Sequence, residues 1–332
     1  MREKVRRRLM RLLVVLLATC AFLLVGCPIY DAWALRELDR SMAAAEREPG
    51  TPYLKGGAPV SIDRGRDRVC LLLHGFGGTP ADFGALPQAL DGAGWDVWAP
   101  LLPGCGTDPR VLKDTTAEDI IDGAAEELTR VRARYRKVVV VGFSLGGAVA
   151  TILAEEDSPD ALVLVNPYYR VRYMAYYVLP PRAWHRLLSP MVTCVVKPAG
   201  TMPVKRPEGR DSIVNYDVVS MNAISAALRI ADRARLASPG GMPVLMLVSE
   251  GDRVVSPAAV RAKYEELDVS EKYLFPFRRS DHLLMVDYDR EAATDEVLRF
   301  LDIVDAGGAT GRRPAEAILP LPEPVGVSET GQ

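Results

Sequence analysis

Four consecutive valines, Val138-Val139-Val140-Val141, lead into Gly142-Phe143-Ser144-Leu145-Gly146-Gly147, and the residues after that are small and helix-forming. This passage constrains the fold more than any other. A continuous β-branched run is the pattern of a strand buried on both faces, which belongs in a parallel sheet covered by helices. The glycines let the backbone turn sharply and pass close to its neighbours, so a helix spanning 145–155 starts directly after the strand. Ser144 is then thrust out of the sheet at a helix N-terminus, where backbone N–H groups and the helix dipole favour negative charge.

The rest of the chain repeats this alternation. Short apolar runs at 69–73, 95–99, 161–165, 243–249 and 272–277 read as strands. Between them, 81–90, 116–134, 257–267 and 290–301 carry helical periodicity. In 116–134 the acids Glu118, Glu126 and Glu127 come early and Arg130, Arg132 and Arg134 late, an order that complements the helix dipole. Alternating strands and helices imply right-handed crossovers and an α/β architecture, a mostly parallel sheet with helices on both faces. The alternation stops between 167 and 241, which reads as a cap inserted over the sheet. Its first part is aromatic and proline-rich and 218–236 is helical. The core therefore spans 69–166 and 242–304. Residues 31–68 read as a helical stalk and linker, and 305–332, rich in Gly, Pro and Ala, as a disordered tail.

The N-terminus reads as targeting rather than fold. Basic residues Arg2, Lys4, Arg6, Arg7, Arg8 and Arg11 precede an apolar run from Leu12 to Val25. Residues 1–30 support two readings. Leu24-Val25-Gly26-Cys27 resembles a bacterial lipobox, in which Cys27 is acylated and becomes the mature N-terminus. Extended through Pro28, Ile29 and Tyr30, the run also reaches about the 20 residues that a spanning helix needs. Both attach the protein to a membrane with the folded domain outside the cytoplasm. The net charge of −2 gives no reason to expect a nucleic-acid partner, and the three histidines form no zinc-type cluster with the cysteines. Cys70 reads as a core residue. Of the five cysteines only Cys105 and Cys194 stand where a pair is conceivable, and nothing argues that they form one.

A serine hydroxyl needs a base to become a nucleophile. The histidines are His74, His185 and His282. His74 and His282 both end predicted strands, where active sites of parallel sheets lie. In the order serine, acid, histidine only His185 and His282 follow the serine, and His185 follows no sheet strand. His282 is the expected base. The orienting acid is expected at Asp252, just past the strand at 243–249. Glu250 is the runner-up, and Asp281 lies too close to His282 in sequence. An Asp after a glycine is also an ordinary turn residue, and that reading of Asp252 competes with the catalytic one.

His74-Gly75-Phe76-Gly77-Gly78-Thr79-Pro80, Gly142-Phe143-Ser144-Leu145-Gly146-Gly147, Glu250-Gly251-Asp252 and Ser280-Asp281-His282 stand in an order that resembles the bacterial carboxylesterase and monoacylglycerol-lipase branch of the α/β-hydrolases. The resemblance covers about 69–301. It implies the α/β-hydrolase fold with a small cap, and a cofactor- and metal-free hydrolysis of short- to medium-chain acyl esters or monoacylglycerols through an acyl-serine. It also implies an oxyanion hole from the backbone N–H groups of Phe76 and Leu145. One position departs from the branch. Relatives commonly carry Pro-Gly-His-Gly where this chain has Pro103-Gly104-Cys105-Gly106. Peptide or amide cleavage on the same fold is the alternative within enzymes, and a membrane-tethered, non-catalytic binding protein the alternative outside them. The cap is expected to form the acyl pocket with Tyr168, Tyr169, Tyr173, Met174, Tyr176, Tyr177, Val178, Leu179 and Trp184. Arg170, Arg172, Arg182 and Arg186 are expected to face anionic lipid.

Overall fold

The computed structural model describes residues 2–172, 179–197, 202–269 and 271–306. The N-terminal half runs α1 (Arg2–Ala21), α2 (Cys27–Ala44), β1 (Val60–Ile62), β2 (Arg68–Leu73), α3 (Leu86–Gly92), β3 (Asp96–Ala99), α4 (Pro109–Asp114), α5 (Ala117–Arg132), β4 (Lys137–Phe143), α6 (Leu145–Glu156) and β5 (Ala161–Val165). The remainder runs α7 (Pro181–Leu188), β6 (Cys194–Val196), α8 (Pro207–Asp211), β7 (Val218–Ser220), α9 (Met221–Leu236), β8 (Val244–Ser249), α10 (Pro257–Glu266), β9 (Lys272–Phe277) and α11 (Arg290–Asp305).

The central sheet has the order β1-β3-β2-β4-β5-β8-β9. β1 runs antiparallel to β3 at one edge, and the other neighbours are parallel. Side chains alternate between faces with the period of two that a strand dictates. Val138, Val140, Leu162, Leu164, Val244 and Met246 enter one buried cluster, with Leu128 of α5, Val149 of α6, Ile230 of α9 and Val260 of α10. Val139, Val141, Val163, Val165, Leu245 and Leu247 enter the other, with Leu86 and Leu90 of α3 and Val297 and Phe300 of α11. The valine run is apolar throughout because both faces are covered.

Three sequence expectations shift. The first helix expected at 81–90 is split into a 3₁₀ turn, Pro80–Phe83, and α3. The stretch at 218–236 begins as a strand, since β7 pairs with β6 in a small antiparallel sheet of the insertion. α9 then leaves the insertion, and its Ala223, Ala226, Ala227 and Ala234 join the core beside α6. Its small side chains permit that close helix packing, so the last part of 167–241 belongs by packing to the core. Of the tail expected at 305–332, Asp305 ends α11 and 307–332 lie outside the described residues.

α2 spans Cys27–Ala44 rather than starting at Asp31. Gly26, which ends a π-turn over Phe22–Gly26, keeps helical angles of φ −65° and ψ −44°, so α1 leads into α2. Among the described residues no helix is long and apolar enough to cross a membrane. The apolar run is divided between α1, whose first half is basic, and the π-turn. α2 is fixed to the small sheet. Asp31 accepts bonds from the Thr193 and Cys194 N–H groups (2.6 and 3.2 Å), and the Tyr30 hydroxyl accepts one from the Val196 N–H (3.2 Å). Ala34 and Leu38 are buried on Cys194 and Val218.

The glycine on the first turn of α6 is the most demanding position of the core. A Cβ at Gly146 would stand 1.9 Å from the Leu73 carbonyl oxygen, whereas one at Gly240 meets nothing within 4 Å. Gly146→Ala is expected to cost about 3 kcal/mol or more, and Gly240→Ala to leave stability within about 1 kcal/mol of wild type. Urea unfolding midpoints of the two variants check this pair, and equal midpoints would contradict the packing argument.

Candidate active site

Ser144 sits between β4 and α6 at φ 52° and ψ −115°, a left-handed conformation that non-glycine residues rarely adopt. The strain is held by packing on both sides. A Cβ at Gly142 would lie 2.5 Å from the Gly146 carbonyl oxygen, so strand and helix approach without side chains between them. The Ser144 N–H donates to the Val165 carbonyl (3.0 Å), and its own carbonyl accepts from the Ala148 and Tyr168 N–H groups.

His282 lies in the loop after β9, with its ring 5.0 Å from that of Phe143. Its Nε2 is 2.8 Å from Ser144 Oγ, and its Nδ1 is 2.6 Å from Asp252 Oδ2. A carboxylate only accepts, so Nδ1 carries the proton and Nε2 is left to accept from the serine hydroxyl. Asp252 is fully buried. Its Oδ1 accepts from the Val254 and Val255 N–H groups (2.7 and 2.8 Å). The turn reading and the orienting reading of Asp252 therefore both hold, one for each oxygen. Glu250 is turned away and paired with Arg261.

The other histidines are engaged elsewhere. His74 is fully buried, its Nε2 accepting from the Leu102 N–H (2.9 Å). The proton is thus on Nδ1, which donates to the Gly75 carbonyl (2.9 Å). Burial lowers its pKa to about 4, so it is a neutral tie between β2 and the loop after β3. His185, on α7, sits 3.0 Å from Ser225 Oγ.

Neither the Phe76 nor the Leu145 N–H donates a hydrogen bond to a described residue. Leu145 opens α6, where N–H groups have no intrahelical partner. Below the Gly75–Gly78 loop lies Asp82, 1% exposed, whose Oδ2 accepts from the Gly75 N–H (3.0 Å). Its Oδ1 has no hydrogen-bond partner among the described residues. Burial raises its pKa to about 7, against the opposing effects of the Gly75 bond and the charges of His282 and Lys197. Cys105, at the position of departure, is a buried thiol on the loop after β3. Burial pushes its pKa up to about 12 despite a bond from the Gly77 N–H. Cys70 is buried in the sheet as expected, and Cys27, Cys105 and Cys194 are likewise buried and free.

Three ties that sequence reading missed hold the histidine loop. Asn166, at φ 43°, donates through Nδ2 to the His282 carbonyl (2.7 Å) and accepts through Oδ1 from the Ser249 N–H (2.7 Å). Its signal was an Asn-Pro pair directly after a strand, where Asn tolerates the left-handed region. Asp281 accepts from the His282 and Arg253 N–H groups (2.9 and 3.0 Å), joining the base loop to the acid loop. Asp287 accepts from the Lys205, Arg206, Asp281 and Tyr288 N–H groups and pins the insertion beside His282.

Part of the expected basic face of the cap is spent internally. Arg182 forms a bidentate pair with Asp232 (2.7 Å to each oxygen), and Arg172 donates to the Asp252 carbonyl. Arg170 and Arg186 are exposed. Tyr169 is buried and bonded to Thr151 (2.8 Å), which makes it a core residue. Tyr173, Met174, Tyr176, Tyr177 and Val178 lie outside the described residues.

A model of the alpha/beta hydrolase family matches residues 70–297, and the chain belongs to that family. It is 27% identical over 251 residues to a thermostable monoacylglycerol lipase of Bacillus sp. (strain H-257), covering 75% of this chain and 96% of that one. It is 23% identical over 245 residues to a carboxylesterase of Bacillus subtilis (strain 168), covering 73% and 95%. Among solved structures, one of a pair of metagenome-derived lipolytic enzymes superposes with a TM-score of 0.64 at 23% identity, covering 77% of this chain and 99% of that one.

Burial would raise the Asp287 pKa, but its four backbone donors outweigh that and hold the carboxyl below the ordinary value of 3.8. A depressed folded-state pKa gives stability that is complete above the unfolded value and lost as pH falls through the folded one. The gap in urea midpoint between wild type and Asp287→Ala is therefore expected to be full above about pH 3.8 and to shrink below it. A gap independent of pH would remove the charge from the explanation.

Proposed function

We propose that this chain hydrolyses carboxylic esters, acyl esters of short to medium chain or monoacylglycerols, through an acyl-serine intermediate. The observation that carries the reading is the relay from Asp252 through His282 to Ser144, with bonds of 2.6 and 2.8 Å. It ends on a serine directly followed by the undonated N–H of Leu145. His282 Nε2 takes the Ser144 proton as Oγ attacks the ester carbonyl. The oxyanion that forms is received by the Phe76 and Leu145 N–H groups, neither of which donates to a described residue. His282 then returns the proton to the leaving alkoxide, and water repeats the sequence on the acyl-serine. Similarity to a monoacylglycerol lipase and a carboxylesterase supports ester over amide substrates.

The test is a chain-length series of nitrophenyl esters. Ser144→Ala and His282→Ala are expected to lose several orders of magnitude in kcat with unchanged unfolding midpoints. Asp252→Asn is expected to lose about 10⁴-fold through the wrong histidine tautomer. Near-normal turnover by Ser144→Ala would sink the mechanism, and a crippled Glu250→Gln with active Asp252→Asn would move the acid.

We also propose that the N-terminal helix attaches the enzyme to a membrane. Leu9, Leu13, Val14, Leu17, Leu24, Val25 and Ile29 are exposed apolar side chains next to a cluster of arginines. Cys27 is 2% exposed, packed on Val192 and Met221 in the middle of a continuous helix, which favours helical attachment over acylation. On this reading Cys27→Ser fractionates with membranes as wild type does. A lipoprotein would instead lose its acyl label and its processing in that variant.

A further inference from the structure

We propose that Lys197 is a specificity residue whose ammonium, set beside the oxyanion loop, receives an anionic group, carboxylate or phosphate, carried by the ester substrate. The inference rests on the esterase reading above and narrows its substrate class.

Lys197 directly follows β6, and its backbone N–H donates to the Asp217 carbonyl (2.8 Å). Its side chain turns toward the catalytic loop. Nζ donates to Asn215 Oδ1 (2.7 Å), and that oxygen lies 3.4 Å from where a side chain on Gly77 would begin. Gly77 follows Phe76, one of the two proposed oxyanion donors. The ammonium is thus separated from the oxyanion loop by a single amide oxygen. Asp82, which packs against Gly75 and Gly78 of the same loop, feels the charges of both Lys197 and His282. Lys197 therefore stands on the oxyanion side of the triad, close enough to act on what binds there.

Its charge is poorly compensated. Among the described residues Lys197 forms no ion pair, and its one side-chain bond is to a neutral amide. The carboxylates that face it, Asp217 and Asp82, act only at a distance, and burial lowers its pKa to about 8. A partly desolvated cation without a bonded counter-ion is costly. A tie between β6 and the segment before β7 does not require that cost, because a glutamine would make the same bond to Asn215 without a charge. A cation kept beside a reacting centre is better explained by an anion that arrives with the substrate.

The experiment uses the full chain and two matched pairs of esters. The first pair is the 4-nitrophenyl monoester of succinic acid against 4-nitrophenyl valerate, which places the charge on the acyl side. The second is a monoacylglycerol phosphate against the same monoacylglycerol, which places it on the alcohol side. Lys197→Met is expected to lower kcat/KM for the charged member of one pair by about 10- to 100-fold, mostly through KM. The neutral members should change little, and Lys197→Arg should retain the preference. The wild-type preference should also fade as pH rises through about 8, where the ammonium deprotonates. Loss shared equally by charged and neutral esters in Lys197→Met would mark a structural tie and overturn the inference. So would an unchanged preference in that variant, or no preference in wild type. Folded wild type that cleaves none of the four would instead overturn the esterase reading itself.

Discussion

The site depends on one close approach, that of the first turn of α6 to the ends of β2 and β4. Gly146 rests against the Leu73 and His74 carbonyls, and Gly142 against Gly146 and Gly147. No side chain fits in either gap. This contact forces Ser144 into its left-handed conformation and leaves the Leu145 N–H undonated at the helix start. It also brings the Gly75–Gly78 loop beside the serine. The strain is local and is maintained by buried valine, leucine and alanine layers on both sheet faces, which cannot yield without opening the core. Nucleophile and oxyanion donors therefore share one origin.

The other half of the site is arranged by electrostatics. His282 lies on a loop, and loops do not hold a ring in place unaided. Here three buried polar side chains do so: Asn166 through the His282 carbonyl, Asp281 through the His282 N–H, and Asp287 through the N–H of the preceding Asp281. Each also reaches a second segment, so that acid loop, base loop and insertion are cross-tied. Their carboxylates and amide are bonded to backbone N–H and carbonyl groups, which is how buried polar groups avoid a desolvation cost.

What the sequence revealed and what it hid follow from the range of the interactions. The sheet, its covering helices and the residues Ser144, Asp252 and His282 were legible because strand period, glycine spacing and chain order are local signals. Asn166 and Asp287 were not, because their worth lies in partners dozens of residues away, and an Asn or Asp near a turn looks ordinary. The same limit explains the misreading of 218–236. Three residues of strand pairing with Cys194–Val196 leave no periodic trace before a strong helix. Arg182, read as facing lipid, is paired with Asp232 on another helix.

The join between α2 and the insertion alters how the chain can be divided. By sequence, residues 1–30 read as a targeting segment and 31–68 as a stalk and linker, all outside the hydrolase core. In the structure Asp31 terminates the Thr193 and Cys194 N–H groups, while Ala34 and Leu38 roof Cys194 and Val218. Trimming the chain there would strip hydrogen-bond acceptors from an edge of the small β6–β7 sheet and wet its apolar face. The stalk helix is then a piece of the insertion's own core, and removing it would also unsupport the segment that bears Lys197.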